Sequence, residues 1–287
     1  MGKAIKIPTT YDEQIERLKM RGCNIADEEF CKEKLAAIGY YRLTAYFLPF
    51  KASEETYIHG TDFCKVYRVY EFDRKLRAIL FSAIEEVEIF LRSKLAYFHA
   101  HKYGATGYLE SHNFSERHND EKFKTTISRE IESNQQVLFV KHHIENYDGV
   151  FPIWVITELF TFGMLSYFYN DLTTQDQKQI AAELYNTTHK NVSSWLRCCT
   201  DLRNICAHYG RLYYRIFPAI PAGIQMPEAA KRRLWGAMMA LRAVYPHIAK
   251  WNSEVMPALE ALFDEYADDI SLYHLAFPIT WRIELKK

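Results

Sequence analysis

An arginine and a histidine stand five positions apart in the stretch TDLRNICAHYGRLYYR, which runs from Thr200 to Arg215. Such a pair could cleave RNA, because RNA carries its own nucleophile in the 2′-hydroxyl. A histidine near neutrality can take a proton from that hydroxyl or give one to the 5′-oxygen leaving group. An arginine can hold the scissile phosphate and stabilise the charge that develops in the transition state. Arg203 and His208 are therefore candidate catalytic residues for a reaction that needs no metal ion.

The spacing of Arg203 and His208 does not favour one shared face of a helix. At about 100° per residue, the two side chains lie about 140° apart around the axis. Gly210 predicts that the helix ends just after His208, where the last turn can distort. A common site therefore requires distortion of the helix end, the long reach of the arginine, or a second copy of the protein across the groove. The apolar stripe of the same helix is Val192, Trp195, Leu196, Cys199, Leu202 and Cys206.

A second interpretation of the pair involves no chemistry. A histidine at the C-terminal end of a helix is favoured by the helix dipole, and a neighbouring arginine can pair with a carboxylate. The pattern alone favours this interpretation, because Arg and His five positions apart arise easily by chance. Charge does not separate the two: between residues 186 and 251, ten basic residues face two acidic ones, a local charge of +8 in a neutral chain. This segment could attract a polyanion or could be neutralised within the fold.

Other kinds of chemistry find little support in the sequence. The chain has no glycine-rich phosphate loop. Neither histidine pair has the HExxH spacing of a zinc site, and a two-metal nuclease would need carboxylates from several elements. The sequence therefore predicts neither a metal site nor a cofactor. The groups considered were His99 with His101, His142 with His143, and the acidic cluster Glu85, Glu86 and Glu88.

Helical periodicity runs through almost every segment, and the sequence predicts an all-α protein. The composition agrees, since 48% of residues are hydrophobic and only 11 Gly and 9 Pro are present. A looser stretch near residues 51–60 predicts an N-terminal helical extension, residues 1–60, packed on a helical domain of residues 61–287. The predicted helices cover 10–22, 27–39, 40–50, a long one ending near 104, 122–134, 152–172, 175–184, about 191–208, 227–249 and 257–266.

The cysteines and the most apolar helix bear on the location of the protein. Six cysteines without paired CxxC spacing, and no signal peptide, predict reduced thiols in a cytoplasmic protein. The apolar run that opens at Pro152 contains Glu158, which a membrane span would tolerate poorly. This run is expected in the core or in a subunit interface, and Gly163 would let a neighbouring helix approach closely.

Several ordered blocks resemble a known family. Arg203 to His208 is similar to the R-x4–6-H motif of HEPN ribonucleases, in the form with a polar residue, Asn204, after the arginine. The chain as a whole resembles the Abi-like (AbiD/AbiF) family of bacterial abortive-infection proteins. Ordered blocks along nearly the whole chain are far more specific than two residues, and they favour a functional pair. The blocks are YDEQIERLKMRG, IGYYRLTAYFLPF, residues 70–104, PIWVITELFTFGMLSYFY, LRNICAHYGRLYYR and LAFPITW.

The resemblance implies a HEPN-like helical bundle, usually dimeric, in which two copies bring their motifs to a common cleft. It also implies metal-independent cleavage of RNA that stops the growth of an infected cell, and some relatives are linked with a structured noncoding RNA. By position, Arg203 would bind phosphate, His208 would act as general acid and base, and Asn204 would position them. Weaker candidates for contact with RNA are Arg211, Arg215 and Arg92.

Arg92 and His99 form a second pair that satisfies the loose motif. They lie seven apart on one helical face, but the residues between them lack the polar position that Asn204 occupies. Glu88 is a plausible partner for Arg92, so Arg92 is expected beside the site in a supporting role and His99 as a structural residue. Two alternatives to a nuclease stay open: a noncatalytic module of the same fold that binds a structured RNA, and a helical protein-interaction module.

Overall fold

The computed structural model describes residue 5 and residues 7–286. Over these residues the chain folds into helices joined by short turns, with three isolated β-bridges and no sheet, which confirms the all-α prediction. The two predicted units include residues 1–4, 6 and 287, which lie outside the described residues. The division at residue 60 stays a prediction.

Sixteen α-helices follow one another within the described residues, numbered in chain order. They are α1 Tyr11–Met20, α2 Glu28–Ile38, α3 Tyr40–Thr44, α4 Phe63–Tyr103, α5 Asp120–Ser133, α6 Leu138–Asn146, α7 Ile153–Ile156, α8 Phe162–Asp171, α9 Thr174–Tyr185, α10 His189–Ala207, α11 Glu228–Lys231, α12 Leu234–Val244, α13 Ile248–Lys250, α14 Met256–Glu265, α15 Leu272–Leu275 and α16 Trp281–Leu285. Short 3₁₀ segments occupy Ala45–Phe50, Gly107–Leu109, Ser111–Asn113 and Thr157–Leu159, and one π turn covers Trp251–Val255.

The long helix α4 is the element around which the others pack. Asp62 begins it by accepting hydrogen bonds from the backbone N–H groups of Cys64 and Lys65, and Gly104 ends it with φ 82°. Its 41 residues span about 60 Å. The predicted apolar stripe is buried along its length, so α3, α7, α8, α10 and α14 can pack against it. The long predicted helix is therefore confirmed.

The motif helix α10 lies between α4, α8, α9 and α12. Its apolar stripe is buried, as predicted, but the helix begins earlier than expected, because Thr188 accepts the capping hydrogen bond from the N–H of Asn191. Gly163 of α8 faces α10, but a Cβ there would lie 3.6 Å from Cγ2 of Thr200, an ordinary van der Waals distance, so the packing does not require a glycine. Close packing on three sides holds α10 rigidly and leaves its C-terminal end at the surface.

The apolar run 152–172 is not one helix, which corrects the sequence prediction. Pro152 precedes α7 rather than opening it, and the chain becomes extended at Phe160 before α8 begins. Two threonine hydroxyls explain the break. Thr157 donates to the carbonyl of Ile153, and Thr161 accepts from the N–H of Met164 and so caps a new helix.

The two predicted C-terminal helices also have different bounds. The predicted helix 227–249 is interrupted where Arg233 adopts an extended conformation between α11 and α12, and it ends at Tyr245 because Pro246 disfavours a helical conformation in the residue before it. The helix predicted to start at Pro257 instead continues α13 through the π turn. Pro257 is tolerated near the start of α14, where its missing N–H costs little.

Candidate active site

Helix α10 keeps its regular geometry up to the histidine of the motif. The backbone N–H of His208 donates to the carbonyl of Asn204 at 3.0 Å, and His208 itself retains near-helical angles, φ −96° and ψ 18°. The distortion that would turn His208 toward Arg203 is therefore absent. The left-handed residue that ends the helix is Tyr209, with φ 56°, and not the glycine after it. Gly210 is needed for space, because a Cβ there would lie 3.1 Å from Cγ2 of Ile205.

Arg203 lies against α4 rather than pointing into solvent. Its side chain is 26% exposed, and its Nε lies 3.7 Å from Oε2 of Glu88 without a hydrogen bond. It borders a cavity of about 310 Å³ whose other walls come from α4. The Nε–H of Arg203 is buried and has no acceptor in the described chain, so the guanidinium must turn toward the cavity to bind a phosphate oxygen. The other residues that line this cavity are Phe81, Ile84, Glu85, Glu88, Ile89 and Arg92.

Arg92 reaches the same cavity, and its predicted pairing with Glu88 is confirmed. Its Nη2 lies 3.2 Å from Oε1 of Glu88 and 3.0 Å from the carbonyl oxygen of Phe160, and Nη1 lies 3.7 Å from Glu158. Glu88 therefore stands between Arg92 and Arg203 and holds both guanidinium groups at one wall of the cavity. This places Arg92 beside the candidate site, as expected.

His208 and Asn204 are both exposed at the surface. Among the described residues, neither side chain makes a hydrogen bond or an ion pair, so both are free to contact a ligand. No hydrogen bond joins Arg203 to His208 either: the arginine faces α4, whereas the histidine extends beyond the helix end. Because the helix end is regular, two of the three explanations remain: the reach of the arginine and a second copy across the groove.

A buried ion pair on α4 holds the segment that follows His208. The carboxylate of Asp73, fully buried, accepts hydrogen bonds from the N–H groups of Leu212 (3.1 Å) and Tyr213 (2.7 Å), and from Arg77. The Tyr46 hydroxyl donates to the same carboxylate at 2.8 Å. Burial raises the pKa of Asp73, and these donors act in the opposite direction. The carboxylate thus fixes the chain four residues beyond the histidine.

Two further arginine contacts fix the turn itself. Arg77 donates to the carbonyl of Gly210 at 3.2 Å, and Arg42 donates to the carbonyl of Tyr209 at 2.7 Å. The sequence analysis did not identify Asp73 or Arg77. The sequence did contain a signal, because both charged residues lie on the apolar stripe of α4, four positions apart. Charged side chains are rarely buried unless they are paired.

Arg211 and Arg215, the weaker candidates for RNA contact, are half-buried just beyond the turn. Burial, together with the neighbouring Arg215 and Arg233, lowers the pKa of Arg211. Among the described residues, no carboxylate lies within ion-pair distance of either guanidinium. Unlike Arg203, they have no direct counterion there.

His99 is a structural residue, as expected, and takes no part in the candidate site. It is fully buried, with the rings of Tyr103, Phe114 and Phe168 at 4.9–5.5 Å, and neither ring nitrogen has a hydrogen-bond partner. Burial lowers the pKa of His99 from 6.5 to about 4. The Arg92/His99 pair is therefore not a second catalytic motif.

The protonation of His99 leads to a prediction about stability. Because the unfolded chain binds this proton near pH 6.5 and the folded chain only near pH 4, the free energy of unfolding falls as the pH drops through that window. At about 1.4 kcal/mol per pH unit, the loss between pH 6.5 and pH 5 is about 2 kcal/mol. The substitution His99→Phe should remove this loss, because it replaces two unpartnered nitrogens with carbon. Urea unfolding at both pH values measures the difference; equal pH slopes for the two proteins would contradict the assignment.

Metal ligands and membrane spans can be assessed only in the described part of the chain. There, no three histidine, cysteine or acidic side chains cluster in a way that could hold a metal ion. Within the same range, no helix combines the length and apolar character that crossing a membrane requires. The six cysteines are free thiols, and burial raises the pKa of Cys206 beside the motif to about 12, which leaves it unreactive.

Comparison with known proteins identifies the family to which the chain belongs. No curated protein and no solved structure matches this chain. The family of Abi-like proteins, by contrast, matches residues 33–214, and the family suggests a function in abortive infection. The matched range contains the whole of α4 and α10, the Asp73 ion pair and the motif. Because it also covers more than half of the 287 residues, the chain belongs to the Abi-like protein family.

Proposed function

We propose that this protein is a metal-independent endoribonuclease of a bacterial abortive-infection system, with a HEPN-type site formed by Arg203, Asn204 and His208. The observation that carries the proposal is the unpartnered, exposed His208 at a helix end that the buried Asp73 carboxylate holds in place. A general acid or base needs an accessible imidazole on a fixed backbone, and this one has both.

The reaction follows from the chemistry of RNA. His208 takes the proton of the 2′-hydroxyl while the 2′-oxygen forms a bond to phosphorus and the bond to the 5′-oxygen breaks. The 5′-oxygen takes a proton from solvent water as it leaves, and His208 later returns to solvent the proton that it removed. Arg203 binds the non-bridging oxygens as their charge grows, and Asn204 orients the phosphate. The products are a 2′,3′-cyclic phosphate and a 5′-hydroxyl.

A homodimer is part of the proposal, because Arg203 opens onto a longer groove along α4. A groove of about 720 Å³ shares Ile89 and Arg92 with the cavity at Arg203 and extends to Trp154. Large apolar side chains along it are exposed although nothing in the described chain covers them: Phe81 41%, Ile89 54%, Tyr97 64% and Trp154 53%. A second copy that covers this surface, here called the α4 groove, would bring a second motif to the same cleft.

A charge at the far end of the α4 groove is expected to separate the two copies. Trp154→Arg places two cations in a symmetric interface, so the dissociation constant of the dimer should rise by about 10²-fold or more. Trp154 does not line the cavity at Arg203, so cleavage should fall only where the dimer dissociates. Ile279→Arg, at a side chain that is 93% exposed elsewhere, is the control. Sedimentation of both variants over a concentration series tests this; a wild type that stays monomeric contradicts the dimer.

The nuclease proposal is tested by sequencing RNA termini after the purified protein acts on total RNA, with and without a chelator. We expect 2′,3′-cyclic phosphate ends in both conditions. Cleavage that requires a divalent cation, or that leaves 3′-hydroxyl ends, would refute the mechanism. If the protein binds RNA without cutting it, the noncatalytic RNA-binding alternative is correct. A protein that does neither would support the alternative of a helical interaction module.

A further inference from the structure

Three arginines meet where the segment after the motif reaches the start of α12. Nη1 of Arg215 lies 3.4 Å from the carbonyl oxygen of Arg211, and Nη1 of Arg233 lies 3.5 Å from the carbonyl oxygen of Arg215. Two of the three guanidinium groups, those of Arg215 and Arg233, thus contact the backbone of the preceding arginine in the cluster. In the sequence, Arg233 belongs to the basic segment 186–251 but lies 18 positions from Arg215, so only the fold brings the two together.

No direct counterion neutralises this cluster. Within the described chain, none of the three guanidinium groups has a carboxylate within 4.0 Å, whereas arginines such as Arg74 and Arg92 do. The acid that acts on Arg211 electrostatically, Asp73, is already occupied by Arg77 and by backbone donors. Three like charges held together in a half-buried setting repel one another, so the cluster favours an anion.

Two of the guanidinium groups also carry buried donors that have no acceptor. Nη1 of Arg211 and Nε of Arg215 are inaccessible to water and make no hydrogen bond. Buried donors are almost always satisfied in folded proteins, and a charged donor left without an acceptor is especially unfavourable. A small reorientation of these side chains around a tetrahedral anion would satisfy them.

The helix that begins at the cluster adds to its positive potential. Arg233 precedes α12, an 11-residue helix whose first turn has no acidic residue and no side-chain cap. The first N–H groups of a helix carry partial positive charge and bind phosphate. An arginine therefore stands where an acidic or hydroxyl side chain is usual.

Aromatic contacts hold Arg233 in place. Its guanidinium lies 5.2 Å from the centre of the Tyr214 ring, and Tyr214 has the left-handed backbone, φ 56°, that an aromatic residue rarely adopts. The His274 ring contacts Tyr214 edge-on, and Nδ1 of His274 lies 2.7 Å from the Tyr213 hydroxyl. The same hydroxyl accepts from the N–H of Ser271, and burial together with the nearby Arg233 lowers the pKa of His274.

We infer that Arg211, Arg215 and Arg233, at the N-terminal end of α12, form a second phosphate-binding site that holds a phosphate of the RNA beside the cleaved bond. The inference rests on the proposed function for the identity of the ligand. Arg211 follows His208 by three residues, which span at most about 11 Å, so the bound phosphate belongs to a nucleotide close to the one that is cut. The site fixes the register of a single strand and does not read its bases.

The test uses full-length protein carrying His208→Ala, which keeps RNA intact during measurement. Arg233→Gln is compared with Arg232→Gln, the adjacent exposed arginine, whose guanidinium contacts the carbonyl of Pro218 and lies outside the cluster. On a single-stranded RNA oligonucleotide, Arg233→Gln should raise the dissociation constant about tenfold and reduce the slope of log K against log salt by about 0.7. Arg232→Gln should change the dissociation constant less than twofold. Thermal unfolding of both variants shows whether each is folded.

Further arms of the experiment separate the sources of the phosphate. Oligonucleotides with a 5′-phosphate or a 5′-hydroxyl distinguish a terminal from an internal phosphate. If Arg233→Gln raises the dissociation constant equally for both oligonucleotides, the site binds an internal phosphate. Inorganic phosphate and ATP serve as competitors. If they bind in an Arg233-dependent way while RNA binding is indifferent to Arg233, the ligand is a free phosphate compound and the inference is wrong.

The inference and the nuclease proposal can fail separately. The wild type could fail to cut RNA while its RNA binding still depends on Arg233. That result would support the phosphate site and refute the nuclease proposal. A protein that cuts RNA, but whose folded Arg233→Gln variant binds with unchanged affinity and salt dependence, would overturn the second site alone.

Discussion

Alanine at position 208 is expected to lower the rate of RNA cleavage by about 10²–10⁴-fold, because it removes the group that transfers the proton. The fold should not change. The side chain is exposed and has no partner in the described chain, and the hydrogen bond that closes the helix end comes from the backbone. We expect the free energy of unfolding to stay within about 0.5 kcal/mol of wild type. Single-turnover cleavage of a labelled RNA, with urea unfolding of the same sample, measures both.

Arg203→Ala should lower the rate of RNA cleavage by about 10²–10³-fold, because it removes the group that binds the phosphate rather than the group that transfers the proton. Arg203→Lys should restore little, because lysine cannot give two parallel hydrogen bonds. Arg197→Ala is the matched control: it lies on the same helix, pairs with Asp201 at 3.6 Å and does not line the cavity. Activity that survives in Arg203→Ala and His208→Ala would show that the site lies elsewhere.

Mixing the two inactive variants tests whether the site is shared between copies. If Arg203 of one copy works with His208 of the other, a mixed dimer of Arg203→Ala and His208→Ala contains one intact site and should regain up to half of the wild-type rate. If each site lies within one chain, every site in the mixed dimer lacks one residue. Mixing would then restore nothing, and the shared cleft would be wrong.

Removal of the Asp73 carboxylate should produce the largest loss of stability, about 3–5 kcal/mol for Asp73→Ala. Arg77 would remain buried without its counterion, and the N–H groups of Leu212 and Tyr213 would lose their acceptor. A domain at the lower end of the ordinary range, about 5 kcal/mol, would then be close to unfolding. Urea unfolding measures the change.

Glu71, a half-buried residue on the same helix, provides the control. It pairs at 3.0 Å with Arg74, whose side chain is exposed, so Glu71→Ala should cost less than about 1 kcal/mol. Asp73→Asn keeps an acceptor oxygen and should be less harmful than Asp73→Ala. Cleavage should also decline in Asp73→Asn at temperatures where it is folded, because the carboxylate holds the chain just beyond His208. Equal effects at positions 71 and 73 would contradict the role of burial.

The sequence by itself determined the helical class and most helix positions, and it supplied the candidate site as a prediction. Those features depend on local information: Thr10 with Glu13 forms a capping box that begins α1, and the apolar stripe of α4 repeats every three to four residues. The 140° separation of Arg203 and His208 also followed from helical geometry, and the regular end of α10 agrees with it.

Tertiary structure decided what the helical period cannot specify. Whether Thr157 and Thr161 hydrogen-bond to the backbone, and so divide an apolar run in two, depends on how α7 and α8 pack. Periodicity places a side chain around its own axis but does not name its neighbour across the core. Only the fold could bring Asp73 to the backbone of Tyr213, 140 positions away, or Arg233 to Arg215. The sequence thus contains the candidate pair, whereas the groups that hold its backbone in place are assembled by long-range packing.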